Sequence, residues 1–279
     1  LMMELDQAGE LTGGRNVRAV YVGGGTPTAI SDMSLRMVLQ KAAEFGAKEF
    51  TVEAGRPDTI TESVLGIIKQ SGAGRISVNA QTLRDDTLER IGRRHTAQDF
   101  FAAFEMARQA GFDSINADVI AGLPGETQKD LKNTLEQIID LRPENITVHT
   151  LAIKRASRFA EQNMDAFPTS GDTYAAVDEA AKMLFTAGYD AYYMYRQKYM
   201  KGSLENVGYS IPGRECLYNI DNMEDACSVA AFGAGAISKR IFTSSADNIR
   251  IERAANVKDL REYIARTDEM MERMRKLFE

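Results

Sequence analysis

Three consecutive glycines, Gly23 to Gly25, run into Thr26, Pro27 and Thr28. Between a strand and a helix, such a run brings backbone amides and carbonyls to a ligand with no Cβ in the way. Its alternative is a tight strand-to-helix turn. It matches neither a P-loop nor a dinucleotide fingerprint, because no Lys follows and the glycine spacing is wrong. Glu53 ends an apolar stretch, and its carboxylate either takes a ligand hydroxyl or ammonium or pairs with an arginine such as Arg56. Gln81 offers a two-sided amide, and Arg93, 12 residues further on, a fork suited to carboxylate. Read alone, Arg93, Arg94 and His95 suit a solvated basic turn better. Asp118 lies among apolar residues between Asn116 and Pro124, where a charge without a partner is costly, so a functional partner is expected for it.

The remaining chemistry-bearing residues are sparse. His95 and His149 have no carboxylate or thiol at metal-ligand spacing and read as packed or capping histidines. Cys216 and Cys227, 11 residues apart, read as free thiols. Two cysteines exclude a disulfide-stapled scaffold and a self-contained cysteine-ligated iron–sulfur cluster, so no metal ligands are assigned within the chain. Tyr192 to Lys198 joins aromatic faces to two cations. It either lines a pocket for a flat anionic ligand or forms a half-buried strand with solvated cations.

These residues must be positioned by an alternation of strands and helices. Strand ends fall near Gly24, Glu53, Gln81, Ile120 and Leu151, with gaps of 29, 28, 39 and 31 residues. That is the rhythm of parallel βα units. Right-handed crossovers put the strand C-termini on one rim, where chemistry collects in such folds. After Leu151 the pattern changes. A helix from Asp172 to Ala187, a Tyr-rich strand, a loop-like stretch from Lys201 to Asn222, strands over Ser228–Phe242 and Ile249–Glu252, and a charged helix from Val257 to Phe278 read as an α+β extension. The expected division is 1–154 and 155–279, with a linker between Arg155 and Ser170. The net charge of −6 argues against a nucleic-acid-coating surface. No apolar run is long enough to span a membrane, and the reading is a cytoplasmic protein. Because the chain opens at Leu1, upstream sequence is expected to be missing.

The glycine turn, the Glu53 and Gln81 strand ends, Gly92 to His95 and Asp118 to Pro124 occur in one order. Tyr193 to Lys198, Leu204 to Tyr209, Pro212 to Asn219 and Gly233 to Ser238 follow. This ordered set resembles the radical S-adenosylmethionine enzymes of the oxygen-independent coproporphyrinogen III oxidase family, in its coproporphyrinogen dehydrogenase branch. The resemblance implies a partial (βα)6 barrel with five of six parallel strands legible. It implies a 4Fe-4S cluster, S-adenosylmethionine and an electron-donor protein. The implied chemistry is heme biosynthesis: a 5′-deoxyadenosyl radical takes hydrogen from coproporphyrinogen III propionates, which lose carbon dioxide and become vinyls. By motif match, Gly24, Gly25, Thr26, Glu53, Gln81, Arg93, Asp118, Ala152 and Ile237 would contact S-adenosylmethionine. Arg196 and Lys198 are candidates for the substrate's carboxylates, with Arg155, Arg158 and Arg214 behind them. The family's C-x3-C-x2-C cluster loop has no counterpart here, so the chain as it stands is expected to be inactive in the radical step. An exposed strand edge is expected near Val17 to Val22. The competing readings are a heme-trafficking chaperone and a radical methyltransferase acting on tetrapyrroles.

Overall fold

A computed structural model describes residues 1–12, 15–151, 167–196, 204–245 and 248–279. After helix α1 (Met2–Thr12), strands and helices alternate: β1 (Ala19–Val22), α2 (Asp32–Ala43), β2 (Glu49–Glu53), α3 (Glu62–Gln70) and β3 (Arg75–Ser77). Then come α4 (Asp85–Arg90), α5 (Ala97–Gln109), β4 (Ser114–Ala121), α6 (Gln128–Asp140) and β5 (Asn145–Thr150). The later elements are α7 (Ser170–Thr186), β6 (Asp190–Tyr195), β7 (Asn206–Ser210), α8 (Leu217–Met223), β8 (Ile237–Ser245), β9 (Asn248–Ala255), α9 (Leu260–Ala265) and α10 (Thr267–Phe278).

Seven strands form one sheet in the order β1-β2-β3-β4-β5-β7-β6, and β8 and β9 form a separate antiparallel pair. β2, β3, β4 and β5 are parallel neighbours. β7 runs antiparallel to both β5 and β6. The five-strand partial barrel expected from the sequence is therefore present, with β1 at the sheet's edge. Polar caps start its helices. Thr61 accepts from Val64 N at 3.2 Å, and Thr96 and Asp99 form a reciprocal capping box. Between helices and sheet, Leu65, Ile68, Ile76, Phe100, Phe104 and Ile115 are fully buried.

Two compact units emerge. One comprises Tyr21–Arg36 and Phe50–Cys216, and the other Leu1–Val20, Met37–Glu49 and Leu217–Glu279. The strands β6 and β7, which follow residue 154, thus group with the barrel strands. In the second unit, Glu4 is buried and accepts hydrogen bonds from Gly233 N (3.1 Å), Asn256 Nδ2 (2.7 Å) and Tyr263 Oη. Met274, Leu277 and Phe278 pack there with Leu11 and Phe232.

Three expectations are corrected. The stretch Lys201–Asn222 is not all loop, since it contains β7 and most of α8. The strand expected from Ser228 begins only at Ile237, preceded by a single bridge from Val229 to Lys239. The C-terminal helix is two helices, broken at Arg266, whose φ of −119° and ψ of 25° leave helical geometry.

Candidate functional site

The rim is built from the turn upward. β1 ends at Val22, and the chain passes through Gly23 into Gly24 and Gly25, with φ of 78° and 56°. Both values lie in the left-handed region that glycine enters freely. Thr28 then pins the turn's exit. Its hydroxyl donates to Ala54 O at 3.0 Å and lies 2.6 Å from Thr59 Oγ1, just past the end of β2. At that end Glu53 accepts from Tyr21 Oη at 3.2 Å, and the backbone N–H of Gly24 faces the same carboxylate. Burial raises the Glu53 carboxyl above its ordinary range, the charge of Asp118 raises it further, and the bonds from Tyr21 and Gly24 oppose the rise.

Gln81 continues β3 toward the rim in a left-handed conformation, φ 65°. For a side chain this costs roughly 1–2 kcal/mol, and such strain concentrates at functional positions. It is held there by Gln81 N donating to Asp118 O (2.8 Å) and Ile120 N donating to Gln81 O (2.9 Å). After α4, Arg93 N caps back onto Leu88 O at 2.8 Å. The Arg93 guanidinium is half-buried and makes no hydrogen bond or ion pair with any of the described residues. Burial, then Arg56, pushes its pKa down, while Asp58, Asp118 and Glu53 pull it back up. Nearby, His95 is buried, with Nε2 3.3 Å from Ala80 O and its other nitrogen unpaired.

Asp118 lies in β4, half-buried. Asn116 Nδ2 donates to Oδ1 at 2.7 Å, and His149 Nε2 stands 3.4 Å from Oδ2. Burial alone would raise Asp118, but His149, together with the hydrogen bond from Asn116, holds it below the usual carboxylate range. The reciprocal effect is seen at His149. Burial disfavours its charge, yet Asp118 and then Glu53 lift it above the ordinary histidine value. The register pairs Asp118 with Thr147 and Ile120 with His149, so one sheet face carries the Asp–His pair.

Glu53, Arg93, Asp118 and His149 are thus close enough for their charges to act on one another; the Gly24 N–H faces Glu53, and the Gln81 backbone is hydrogen-bonded to the backbone of Asp118 and Ile120. Thr26 follows in the glycine turn, with φ −143°. Ala152, Lys198, Arg155 and Arg158 fall outside the described residues. Ile237 opens β8 in the other compact unit. Arg196 is exposed and pairs with Glu205 at 2.8 Å. The Arg214 carbonyl accepts from Asn145 at the opposite end of β5 from the rim. In the Tyr-rich stretch, which forms β6, the hydroxyls of Tyr193 and Tyr195 approach Thr147 and His149, whereas Met194 is exposed.

A half-buried guanidinium without a hydrogen-bond or ion-pair partner among the described residues, two carboxylates and exposed glycine backbone form a donor and acceptor set for a zwitterionic, cationic ligand bearing hydroxyls. S-adenosylmethionine, with its carboxylate, ammonium, sulfonium and ribose diol, fits that set. A 4Fe-4S cluster does not fit this chain's residues. The chain has two cysteines, and among the described residues no group of three or more His, Cys, Asp or Glu side chains could hold a metal ion.

Residues 3–138 match the Radical SAM superfamily, so the chain carries a radical SAM domain, and its sheet is that family's TIM-like half-barrel. Within that superfamily the chain is HemZ/HemN-like. Over its whole length it is 38% identical to the oxygen-independent coproporphyrinogen-III oxidase-like protein HemZ of Bacillus subtilis (strain 168), covering 58% of that protein. It is 37% identical to the heme chaperone HemW of the same organism over 155 residues, which is 53% of this chain and 40% of HemW. Among solved structures, coproporphyrinogen III oxidase (HemN) from Escherichia coli shares the fold, with a TM-score of 0.74 at 21% identity, over 96% of this chain and 61% of that one. The chain therefore spans about three-fifths of the length of HemZ. No helix among the described residues is long and apolar enough to cross a membrane.

Proposed function

We propose that this chain is the S-adenosylmethionine-binding part of a radical enzyme that oxidatively decarboxylates coproporphyrinogen III. What supports this is that Glu53, at the end of β2, Arg93 and Asp118 are near enough for their charges to act on one another, on the rim that carries the glycine turn. When bound, S-adenosylmethionine supplies the 5′-deoxyadenosyl radical. The chain's own residues bind and orient it. Arg93 takes its carboxylate, glycine carbonyls around Gly24, Gly25 and Thr26 take the ammonium, and Glu53, Gln81 and Asp118 take hydroxyls or face the cation. Ala152 and Ile237 belong to the same proposal by motif match. The net charge of −6 repels a substrate with four carboxylates, so local cations must receive it. Arg196 and Lys198 fill that role, with a substrate carboxylate displacing Glu205 from Arg196. The protein works in the cytoplasm and draws electrons from a donor protein.

A second reading, a heme-binding chaperone, is supported by the similarity to HemW. One experiment separates them. The complete gene product is loaded anaerobically with iron and sulfide and given S-adenosylmethionine, reductant and coproporphyrinogen III. The proposal expects 5′-deoxyadenosine and products lighter by lost carbon dioxide and hydrogen. Tight stoichiometric heme binding without either product would favour the chaperone.

A further inference from the structure

The rim residues already described leave one group without a role. His149 lies between Asp118 and a pair of tyrosines. Its Nδ1 is 3.5 Å from Tyr195 Oη, and the Tyr195 ring meets the imidazole edge-on, 6.5 Å between centroids. Tyr195 stacks on Tyr193 at 6.3 Å with 5° between planes. The Tyr193 hydroxyl lies 3.4 Å from Thr147 Oγ1, and Thr147 donates to Asn116 Oδ1 at 3.2 Å. Asn116 completes the ring of contacts by donating to Asp118. Each carboxylate oxygen of Asp118 thus has its own neighbour, Asn116 at Oδ1 and His149 at Oδ2.

This circuit tolerates a change of charge. A protonated imidazole donates through both nitrogens, to Asp118 and to Tyr195 Oη. A neutral one keeps its Nε2 donor on Asp118 and accepts the Tyr195 hydroxyl at Nδ1. In both states an Nε2 N–H can face Asp118 Oδ2, which lies 3.4 Å away. The charged groups acting on His149 are Asp118 from β4 and Glu53 from β2; Tyr195 faces it from β6. The side chains of His149 and Asp118 remain 26% and 17% exposed, which leaves the carboxylate reachable by a ligand.

We propose that His149 is a positioning residue: by donating from Nε2 it aims the Asp118 carboxylate at the rim and so sets the affinity for S-adenosylmethionine. This rests on the reading of the rim as the site for that ligand. A hydrogen bond to a carboxylate is worth more than one between neutral groups, so its loss should be visible in binding.

Two measurements on the chain test it. The first is equilibrium dialysis of labelled S-adenosylmethionine against wild type, His149→Phe and His149→Gln, each checked for an intact thermal melt. Phe keeps a ring and loses the donor, and should weaken binding roughly tenfold or more. Gln keeps an N–H for Asp118 without the charge, and should stay within about threefold of wild type. The second is NMR titration of the two histidines, with the His149 signal identified by its absence in His149→Gln. His149 should titrate above its ordinary value, and Asp118→Asn should bring it down. Unchanged binding in His149→Phe, equal loss in both folded variants, or a His149 titration unmoved by Asp118→Asn would overturn the inference. Absence of binding by the wild-type chain would instead refute the proposed function and with it the ligand named here, whereas the Asp118-dependent titration is read without any ligand.

Discussion

Tyr21 and Glu53 meet across Gly23, where Tyr21 Oη donates to Glu53 Oε2 at 3.2 Å. A Cβ at residue 23 would run into the Tyr21 ring and lie 2.8 Å from Glu53 Oε2. Gly23 is therefore required for close approach, not for backbone freedom. Gly23→Ala should push Tyr21 and Glu53 apart, lower stability by about 1–3 kcal/mol, and weaken S-adenosylmethionine binding. Urea unfolding and equilibrium dialysis read the two effects separately.

Glu53 also predicts a pH dependence. Its pKa is raised in the folded chain, first by burial and then by Asp118. The folded state then holds the proton more tightly than the unfolded one. Glu53's contribution to stability is complete below its unfolded pKa and is lost as pH rises through the folded value. Glu53→Gln keeps an acceptor for Tyr21 and removes the charge. The variant should be more stable than wild type near pH 8, and the difference should vanish by about pH 4, as measured by denaturant midpoints across that range.

The opposite end of the strands should behave differently. Asn145, at the start of β5, is buried. It accepts from Ser114 Oγ (3.0 Å) and from Arg75, and donates to Ser210 Oγ (2.8 Å) and Arg214 O (3.0 Å). Asn145→Ala removes all four of these hydrogen bonds, although Arg75 keeps Arg214 O and Ser210 Oγ keeps Ile211 O, and should cost roughly 2–4 kcal/mol. At temperatures where the variant stays folded, ligand affinity should match wild type.

The spacing of strands and stop signals exposed the half-barrel, because each βα unit repeats the same local grammar: an apolar run, polar residues at its end, a capped helix and a glycine stop. Glu53, Gln81 and Asp118 were legible for the same reason, being polar where a strand reaches the rim. His149 was read as a packed or capping histidine. Its role depends on the β4–β5 register and on Asp118, 31 residues earlier, which no local pattern encodes. The stretch that holds β7 reads as loop because Gly202, Gly208, Pro212 and Gly213 punctuate it, Gly208 within β7 itself. That glycine stands opposite Thr147 and Tyr193, and the Tyr193 ring fills the place of its missing side chain. Arg93, read alone, suits a solvated basic turn better than a binding site, since only the fold half-buries it with no hydrogen-bond or ion-pair partner among the described residues.

The claim on which the rest depends is that the rim holds S-adenosylmethionine through Arg93 and its acidic neighbours. Equilibrium dialysis of labelled S-adenosylmethionine against the chain and against Arg93→Ala tests it directly. Saturable one-to-one binding, weakened roughly tenfold or more by Arg93→Ala with an unchanged thermal melt, is the predicted result. Failure of the wild-type chain to saturate, or equal affinity in the two proteins, would contradict it.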